Sequence, residues 1–169
     1  TTFYGYDVSQ VPRKYGRQVY DRLGRESSLF FVMSENMKER VVALGFDPRK
    51  VVVHPVSIEV NKYPFSERKL LPDEPVNIIS VGRFVEKKGF EDLLRALAIV
   101  RQRVTSKFKC YIVGDGPLHD EIHNLADKLG LNDVVEFKGM MSMEKIINLF
   151  KNMHFFVQPS KTAANGDME

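Results

Sequence analysis

The 169-residue sequence predicts an α/β fold: a Rossmann-like parallel sheet with crossover helices, preceded by a partial N-terminal α/β domain. Short, almost continuously apolar segments alternate with segments whose apolar residues recur every three to four positions, as buried parallel strands and their connecting helices require. Glycine turns follow two of the apolar segments, where helices of such folds begin. A hydrophobic fraction of 43% is enough to bury a core.

The first 59 residues contain few elements. Short strands are predicted at residues 1–4, 29–33 and 51–54, together with a basic helix near residues 15–23. A second helix is expected to begin after Ser34, a helix-capping residue type, and to end before Gly45. Because three short strands and two helices would form a poor core, residues 1–59 are predicted to be an incomplete domain. Residues 60–75 combine prolines, charged residues and no clear period, which is typical of a linker.

Residues 76–169 carry the stronger pattern and form the second predicted domain. Strands are expected at residues 76–81, 109–113, 134–138 and 154–158. Helices are expected at residues 90–104 and 118–129, and a third is expected to begin near Ser142. This βαβαβαβ order is typical of one half of a nucleotide-binding sheet.

The turn after the first of these strands, VGRFVEKKGF at residues 81–90, holds three cations between two glycines. Parallel sheets bind ligands beyond the carboxyl ends of their strands, where amides at the start of the next helix carry partial positive charge. Gly82 lets the chain turn sharply, Arg83 can form two parallel hydrogen bonds to phosphate oxygens, and Lys87 or Lys88 adds a point charge. Taken alone, this pattern is equally compatible with a solvated surface turn.

A second glycine turn, Gly114-Asp115-Gly116-Pro117, follows the next strand. Two neighbouring strand ends would thus present open backbone at one edge of the sheet, which favours a phosphate-binding site over a solvated turn. A Walker P-loop is excluded because its glycine, lysine and hydroxyl residue do not follow Gly82 at the required spacing. A dinucleotide fingerprint would need a third glycine where His119 stands, so NAD is not favoured.

Other residue patterns favour structural roles. His119 and His123 lie four positions apart without a third ligand nearby, so a solvated pair is expected and no metal site. Cys110, the single cysteine, is expected in the core and excludes an internal disulfide. A net charge of +3 is too small to indicate nucleic-acid binding. The segment at residues 12–25 is basic and amphipathic, which suits either a solvated face or contact with an anionic membrane.

Several segments resemble retaining glycosyltransferase family 4 enzymes of the GT-B fold. Those that resemble the donor domain are SVGRFVEKKGFEDLLRAL, CYIVGDGPLHDEI, LGLNDVVEFKGMMSMEKI and HFFVQPS, in this order. The segments TTFYGYDVS, SENMKERVVALGF and VVVHPVSIEVNKYPF resemble the end of the acceptor domain and the crossing into the donor domain. The sequence is also similar to enzymes that build capsular, colanic-acid-like or lipopolysaccharide chains.

The resemblance implies a truncated GT-B donor domain at 76–169, a linker at 60–75 and the acceptor-side end at 1–59, all cut from a longer protein. It further implies that the enzyme transfers a sugar from a nucleotide-diphosphate sugar to a glycan or lipid-linked acceptor and retains the anomeric configuration of that sugar. No metal or other cofactor is expected to take part. The expected location is the cytoplasm, at the inner face of the membrane where the acceptor is lipid-linked.

The same resemblance assigns site residues. Arg83 and Lys88 fall on the positions that grip the pyrophosphate. Gly82, Gly114 and Gly116 form the turns beside the donor, and Met140 and Met141 lie where the base packs.

Two positions mark the limits of the resemblance. Glu169 aligns with the first glutamate of the family's E-x7-E motif, and the second glutamate would follow it. We therefore expect the 169 residues alone to transfer little or no sugar in a radiolabelled nucleotide-sugar assay. Tyr4 stands where many members have histidine, and tyrosine does not titrate near neutral pH. A GT-B-like sugar-nucleotide epimerase and a non-catalytic nucleotide-sugar-binding module remain alternatives. Product analysis with and without an acceptor separates the epimerase from a transferase, and binding without turnover in the full-length protein would identify the non-catalytic module.

Overall fold

The structure is a computed structural model that describes residues 1–65 and 67–167. The chain divides into two compact units, residues 1–59 with 162–167, and residues 60–161. Residues 162–167 thus group with the N-terminal unit, although the sequence places them in the C-terminal domain. The expected linker at 60–75 groups with the C-terminal unit and contains a short 3-10 helix, Val60–Lys62. The functional labels of the two predicted domains remain predictions.

The N-terminal unit contains more helix than expected. Its elements are α1 (Gly5–Tyr15), a 3-10 helix (Arg17–Tyr20), α2 (Asp21–Glu26), β1 (Phe30–Val32), α3 (Glu35–Ala43), a second 3-10 helix (Pro48–Lys50) and β2 (Val51–Val53). Strands β1 and β2 pair in parallel, with Phe30 opposite Val51. As predicted, Ser34 caps α3, since its side chain accepts a hydrogen bond from the Met37 amide at 3.2 Å.

The N-terminal unit differs from the predictions in three places. The strand expected at residues 1–4 reduces to a single bridge between Thr2 and Phe31. Helix α1 was not predicted at all, because Pro12 lies inside it and is normally a helix breaker. The helix expected near residues 15–23 is divided because Gly16 adopts a φ of 77°, which ends α1.

Aromatic side chains form most of the N-terminal core. Phe46 packs edge-on against Phe30 and Phe3, with ring centroids 4.6 and 5.2 Å apart. The side chains of Tyr20 and Leu23 pack against the same cluster. These edge-to-face contacts compensate for the small number of strands, because aromatic pairs add stabilisation beyond the area that they bury.

The C-terminal unit follows the predicted βαβαβαβ order. Its elements are β3 (Val76–Val81), α4 (Phe90–Arg103), β4 (Phe108–Val113), α5 (His119–Lys128), β5 (Val135–Gly139), α6 (Met143–Phe150) and β6 (Phe155–Phe156). All strand pairs are parallel and the order is β5-β4-β3-β6, so the winding direction reverses at β3. In such sheets ligands bind outside the carboxyl ends of the strands near this reversal.

The strands and helices of this unit agree with the sequence pattern, with one exception. Helix α4 buries Phe90, Leu93, Leu94 and Leu97, the spacing that predicted it. Strand β6 spans two residues instead of the five expected at 154–158, and both of its side chains are exposed. Apolar composition alone does not reveal that β6 pairs only with β3 among the described strands.

The structure confirms the predicted place of Cys110 in the core. This residue is fully buried in β4, and burial raises the pKa of its thiol to about 12. Only roughly one thiol in ten thousand is then ionised at pH 8, because that pH lies about four units below the pKa. We expect Ellman's reagent at pH 8 to leave the native chain unlabelled and to label one thiol per chain after unfolding in urea. Stoichiometric labelling of the native chain within minutes would contradict this burial.

Candidate functional site

A cavity of about 650 Å³ opens at the carboxyl ends of β3 and β4. Its walls come from the two glycine turns that follow these strands and from the chain around the start of α6. The lining residues are Val81, Gly82, Arg83, Val113, Gly114, Asp115, Gly116, Met140, Met141 and Ile146. The structure therefore brings together Gly82, Arg83, Gly114, Gly116, Met140 and Met141 from the set of predicted site residues.

The two glycine turns approach each other too closely for side chains. Gly114 has a φ of 140°, and a Cβ atom there would lie 1.8 Å from the carbonyl oxygen of Gly82. A Cβ atom at Gly116 would lie 2.7 Å from the backbone nitrogen and oxygen of Phe84. Glycine is thus required at 114 by both backbone conformation and space, and at 116 by space.

Backbone hydrogen bonds continue between the turns beyond the strand ends. The Gly82 amide donates to Val113 O at 2.9 Å, and the Phe84 amide donates to Asp115 O at 2.9 Å. The Phe84 carbonyl in turn accepts from the Leu118 amide at 3.1 Å. Because the residues on both sides of Arg83 are held in this way, the backbone that carries the guanidinium is well defined.

The two predicted phosphate-binding cations occupy different positions. Arg83 is exposed on the cavity wall, and within residues 1–65 and 67–167 its guanidinium forms no hydrogen bond or ion pair. Lys88 is half-buried and is not a lining residue. Its side chain passes beside Gly82, since Lys88 Cδ lies 3.4 Å from the position that a Cβ would take there. Arg83 therefore lines the cavity directly, and the Lys88 side chain lies beside Gly82, another lining residue.

A second wall of the cavity is apolar. Met140 and Met141 follow β5, and Ile146 comes from the first turns of α6. Ile146 is buried, whereas Met140 is 82% exposed and has room to adapt. Flexible thioether side chains suit the face of a flat ring. The cavity thus combines one apolar wall with one cationic wall.

Asp115 is a lining residue that the sequence interpretation missed. Its Oδ1 accepts hydrogen bonds from the Gly116 amide at 2.7 Å and from His119 Nδ1 at 2.9 Å. These bonds, the amide first, lower the pKa of the Asp115 carboxyl, so that it is ionised at neutral pH. The signal available in the sequence is an acidic residue between two glycines at a strand end.

The histidines of α5 are less solvated than predicted. The His119 ring stacks on His123 with centroids 4.2 Å apart, and His123 stacks on Phe137 at 3.8 Å. Burial, together with the neighbouring His119, lowers the pKa of His123. Of the two histidines that were expected to be solvated, only His119 is half-exposed. No group of three or more His, Cys, Asp or Glu in the described part of the chain could hold a metal ion.

The segment after β6 is joined to the cationic turn. The Lys161 amide donates to the Lys87 carbonyl at 2.8 Å, and Lys161 Nζ pairs with Asp92 Oδ2 at 2.7 Å. This bond to Asp92 raises the pKa of Lys161. Gly89, with a φ of 68°, packs its Cα against the Pro159 carbonyl. These contacts position the turn that carries Lys87 and Lys88.

Two of the positions that the sequence analysis singled out remain, Glu169 and Tyr4. Glu169 lies outside the described residues. Tyr4 belongs to the N-terminal unit, where it precedes α1 and its amide donates to Asp7 Oδ2 at 2.9 Å. Its side chain is 55% exposed. Across residues 1–65 and 67–167, no helix has the length and apolar character needed to span a bilayer.

Comparison with known proteins relates this chain to a family. The amylovoran biosynthesis glycosyltransferase AmsK of Erwinia amylovora is 30% identical over 171 residues, covering 100% of this chain and 41% of that protein. The GDP-mannose-dependent alpha-(1-6)-phosphatidylinositol monomannoside mannosyltransferase of Mycolicibacterium smegmatis is 26% identical over 172 residues, covering 96% of this chain and 44% of that protein. The chain thus spans about two fifths of the length of these curated relatives.

Solved structures confirm the fold. The crystal structure of Anabaena Alr3699/HepE in complex with UDP matches with a TM-score of 0.74 at 20% identity, covering 92% of this chain and 45% of that one. This likeness agrees with the α/β fold of the GT-B type that the sequence predicts. Residues 62–166 match the family described as glycosyl transferases group 1. This match covers more than half of the sequence, so the chain belongs to the glycosyl transferases group 1 family.

Proposed function

We propose that the chain forms the nucleotide-sugar-binding part of a retaining glycosyltransferase of family 4. The enzyme transfers a hexose from a nucleotide-diphosphate sugar to a hydroxyl group of a glycan or lipid-linked acceptor, in polysaccharide or glycoconjugate biosynthesis. The proposal rests on one observation: Arg83 lines a cavity between two glycine turns at the carboxyl ends of β3 and β4, and its guanidinium has no hydrogen-bond or ion-pair partner among the described residues. The catalysis proposed for this site uses no metal or other cofactor.

Arg83 and Lys88 would act on the leaving group. As the bond between sugar and phosphate stretches, negative charge grows on the nucleoside diphosphate. A cation whose position is already set stabilises that charge more in the transition state than in the bound substrate. Arg83 is suited to this role because its backbone is held on both sides by the paired turns. Lys88 would add a second positive charge next to the same phosphates.

The apolar wall would receive the nucleotide base. Met140 and Met141 contribute adaptable side chains to the lining of the same cavity as Arg83. The Anabaena protein was crystallised with UDP, and the mycobacterial relative is named as GDP-mannose-dependent. Both pyrimidine and purine nucleotides should therefore be included when nucleotide binding by this chain is measured.

Isothermal titration calorimetry of UDP, GDP and ADP, and of their sugars, tests the proposal. We expect saturable binding of at least one nucleoside diphosphate, together with competition by inorganic pyrophosphate. The absence of binding by all of these nucleotides would contradict the proposal. Product analysis with and without acceptor then separates transfer from epimerisation, and binding without any turnover would identify a non-catalytic module.

A peripheral membrane contact is a further part of the proposal. Tyr20 and Leu23 of the basic segment at 12–25 pack into the N-terminal core, which leaves Arg17, Arg22 and Arg25 exposed. Contact with anionic lipid would therefore depend on charge more than on insertion of apolar side chains. Reversing Arg17 and Arg22 to glutamate is expected to abolish flotation with phosphatidylserine vesicles. Unchanged flotation of the double variant would remove this contact from the proposal.

A further inference from the structure

Asp115 places a negative charge in a cavity that otherwise suits an anion. Its Oδ1 atom already accepts two hydrogen bonds, from the Gly116 amide and from His119 Nδ1. Its Oδ2 atom has no hydrogen-bond partner in the described part of the chain, and the side chain is 47% exposed on the cavity lining. One carboxylate oxygen is therefore held in place, and the other is available to a ligand.

The two turns consequently offer different chemistry. The Gly116 amide lies at the turn before α5, where backbone amides could receive a phosphate. Here the Asp115 carboxylate accepts its hydrogen bond, and the adjacent negative charge repels phosphate oxygens. Arg83, on the neighbouring turn, has the opposite charge and no partner within residues 1–65 and 67–167. The phosphates are thus directed to the turn after β3, and the turn after β4 is left for another part of the ligand.

Hydroxyl groups are the chemistry that suits Asp115 Oδ2. An ionised carboxylate only accepts hydrogen bonds, and bonds to charged groups are stronger than those between neutral groups. The carboxylate is also pre-oriented, because the His119 ring that donates to it is itself stacked on His123. Little side-chain freedom would then be lost when a hydroxyl group binds.

We propose that Asp115 binds a hydroxyl group of the nucleotide sugar through Oδ2, while Arg83 binds the diphosphate, so that the two charges orient the ligand across the cavity. This inference rests on the proposed function, since it assumes a ligand that carries both phosphates and hydroxyl groups. The hydroxyl group belongs either to the ribose or to the transferred sugar.

Removing the carboxylate should change the affinities for two probes in opposite directions. We expect Asp115→Ala to weaken UDP-glucose binding, or GDP-mannose binding if the chain selects guanine, about tenfold, because a charge-assisted hydrogen bond is lost. The same variant should bind inorganic pyrophosphate about twofold more tightly, because a nearby negative charge is removed and pyrophosphate has no hydroxyl group. Calorimetry in metal-free buffer measures both affinities.

Asp120→Ala is the matched control, because Asp120 lies in the first turn of the same helix but does not line the cavity. Both of its affinities should change less than twofold. Asp115→Asn keeps an oxygen that can bond the Gly116 amide, so it remains informative if the alanine variant does not fold. It should weaken UDP-glucose binding less than Asp115→Ala, and the NMR shift of the Gly116 amide reports whether the turn is preserved.

Two modified ligands distinguish the sources of the hydroxyl group. If it belongs to the ribose, 2′,3′-dideoxy-UDP binds the unmodified chain more weakly than UDP and is insensitive to Asp115→Ala. If it belongs to the sugar, Asp115→Ala weakens UDP-glucose binding more than UDP binding.

The outcomes separate this inference from the proposed function. No binding of nucleotide or pyrophosphate by the unmodified chain overturns both. Normal binding by that chain overturns only the role of Asp115 if the folded Asp115 variants leave the affinities for UDP-glucose and pyrophosphate unchanged or weaken both equally.

Discussion

Replacing Arg83 with alanine is expected to lower the affinity for a nucleoside diphosphate about a hundredfold. The guanidinium can form two charge-assisted hydrogen bonds to phosphate oxygens, each of which contributes about 1.5 to 3 kcal/mol. A loss of about 3 kcal/mol corresponds to roughly two orders of magnitude in Kd. The effect should be large because Arg83 faces the cavity and needs to break no ion pair within residues 1–65 and 67–167 before it binds a phosphate.

Graded variants test whether geometry or charge accounts for this loss. Arg83→Lys keeps the charge but loses the paired hydrogen bonds, so its affinity should lie between those of the unmodified chain and the alanine variant. Lys88→Ala should cost about tenfold, because one charge-assisted hydrogen bond is removed. Arg103→Ala is the control, an exposed arginine at the other end of α4. Calorimetry with the same nucleotide measures all four variants, and equal effects of Arg83→Ala and Arg103→Ala would contradict a specific phosphate site.

Substituting Gly89 with alanine is expected to destabilise the C-terminal unit by about 3 to 4 kcal/mol. Its φ of 68° is unfavourable for any residue with a Cβ atom, and that atom would lie 1.9 Å from the Pro159 carbonyl oxygen. The neighbouring atom belongs to the backbone, so the clash is relieved only by moving the segment after β6 or the start of α4. Both movements would disturb the Lys161 contacts with Lys87 and Asp92.

Gly130 provides a matched control for the backbone contribution. Its φ of 66° is almost the same as that of Gly89, but a Cβ atom there would have no neighbour within 4 Å. Gly130→Ala should therefore show only the conformational cost, about 1 kcal/mol. Urea unfolding followed by far-UV circular dichroism suits both variants, because the chain has no tryptophan. Equal losses of stability in the two variants would show that the contact with Pro159 is unimportant.

Local patterns in the sequence determined most of the C-terminal unit. Apolar runs and three-to-four spacing predicted β3, β4, β5 and α4 to within a residue at most ends, because such strands and helices bury side chains with fixed periods. Turn chemistry likewise predicted Arg83 beside a glycine turn. Local patterns failed at α1, where Pro12 lies inside a helix, and at β6, which is shorter than its apolar run.

Only the tertiary structure decided how residues distant in sequence meet. It showed that Gly82 and Gly114 approach so closely that residue 114 cannot carry a side chain. It also showed that Arg83 lines the cavity whereas Lys88 lies beside Gly82, and that the winding direction of the sheet reverses at β3. It also revealed Asp115 on the cavity wall, bonded to His119. Apolar periodicity indicates which face of a helix or strand is buried, and it depends only on residues that are close in the sequence. Hydrogen bonds and steric contacts depend on ångström-scale distances between different elements, and these are set only when the whole unit packs.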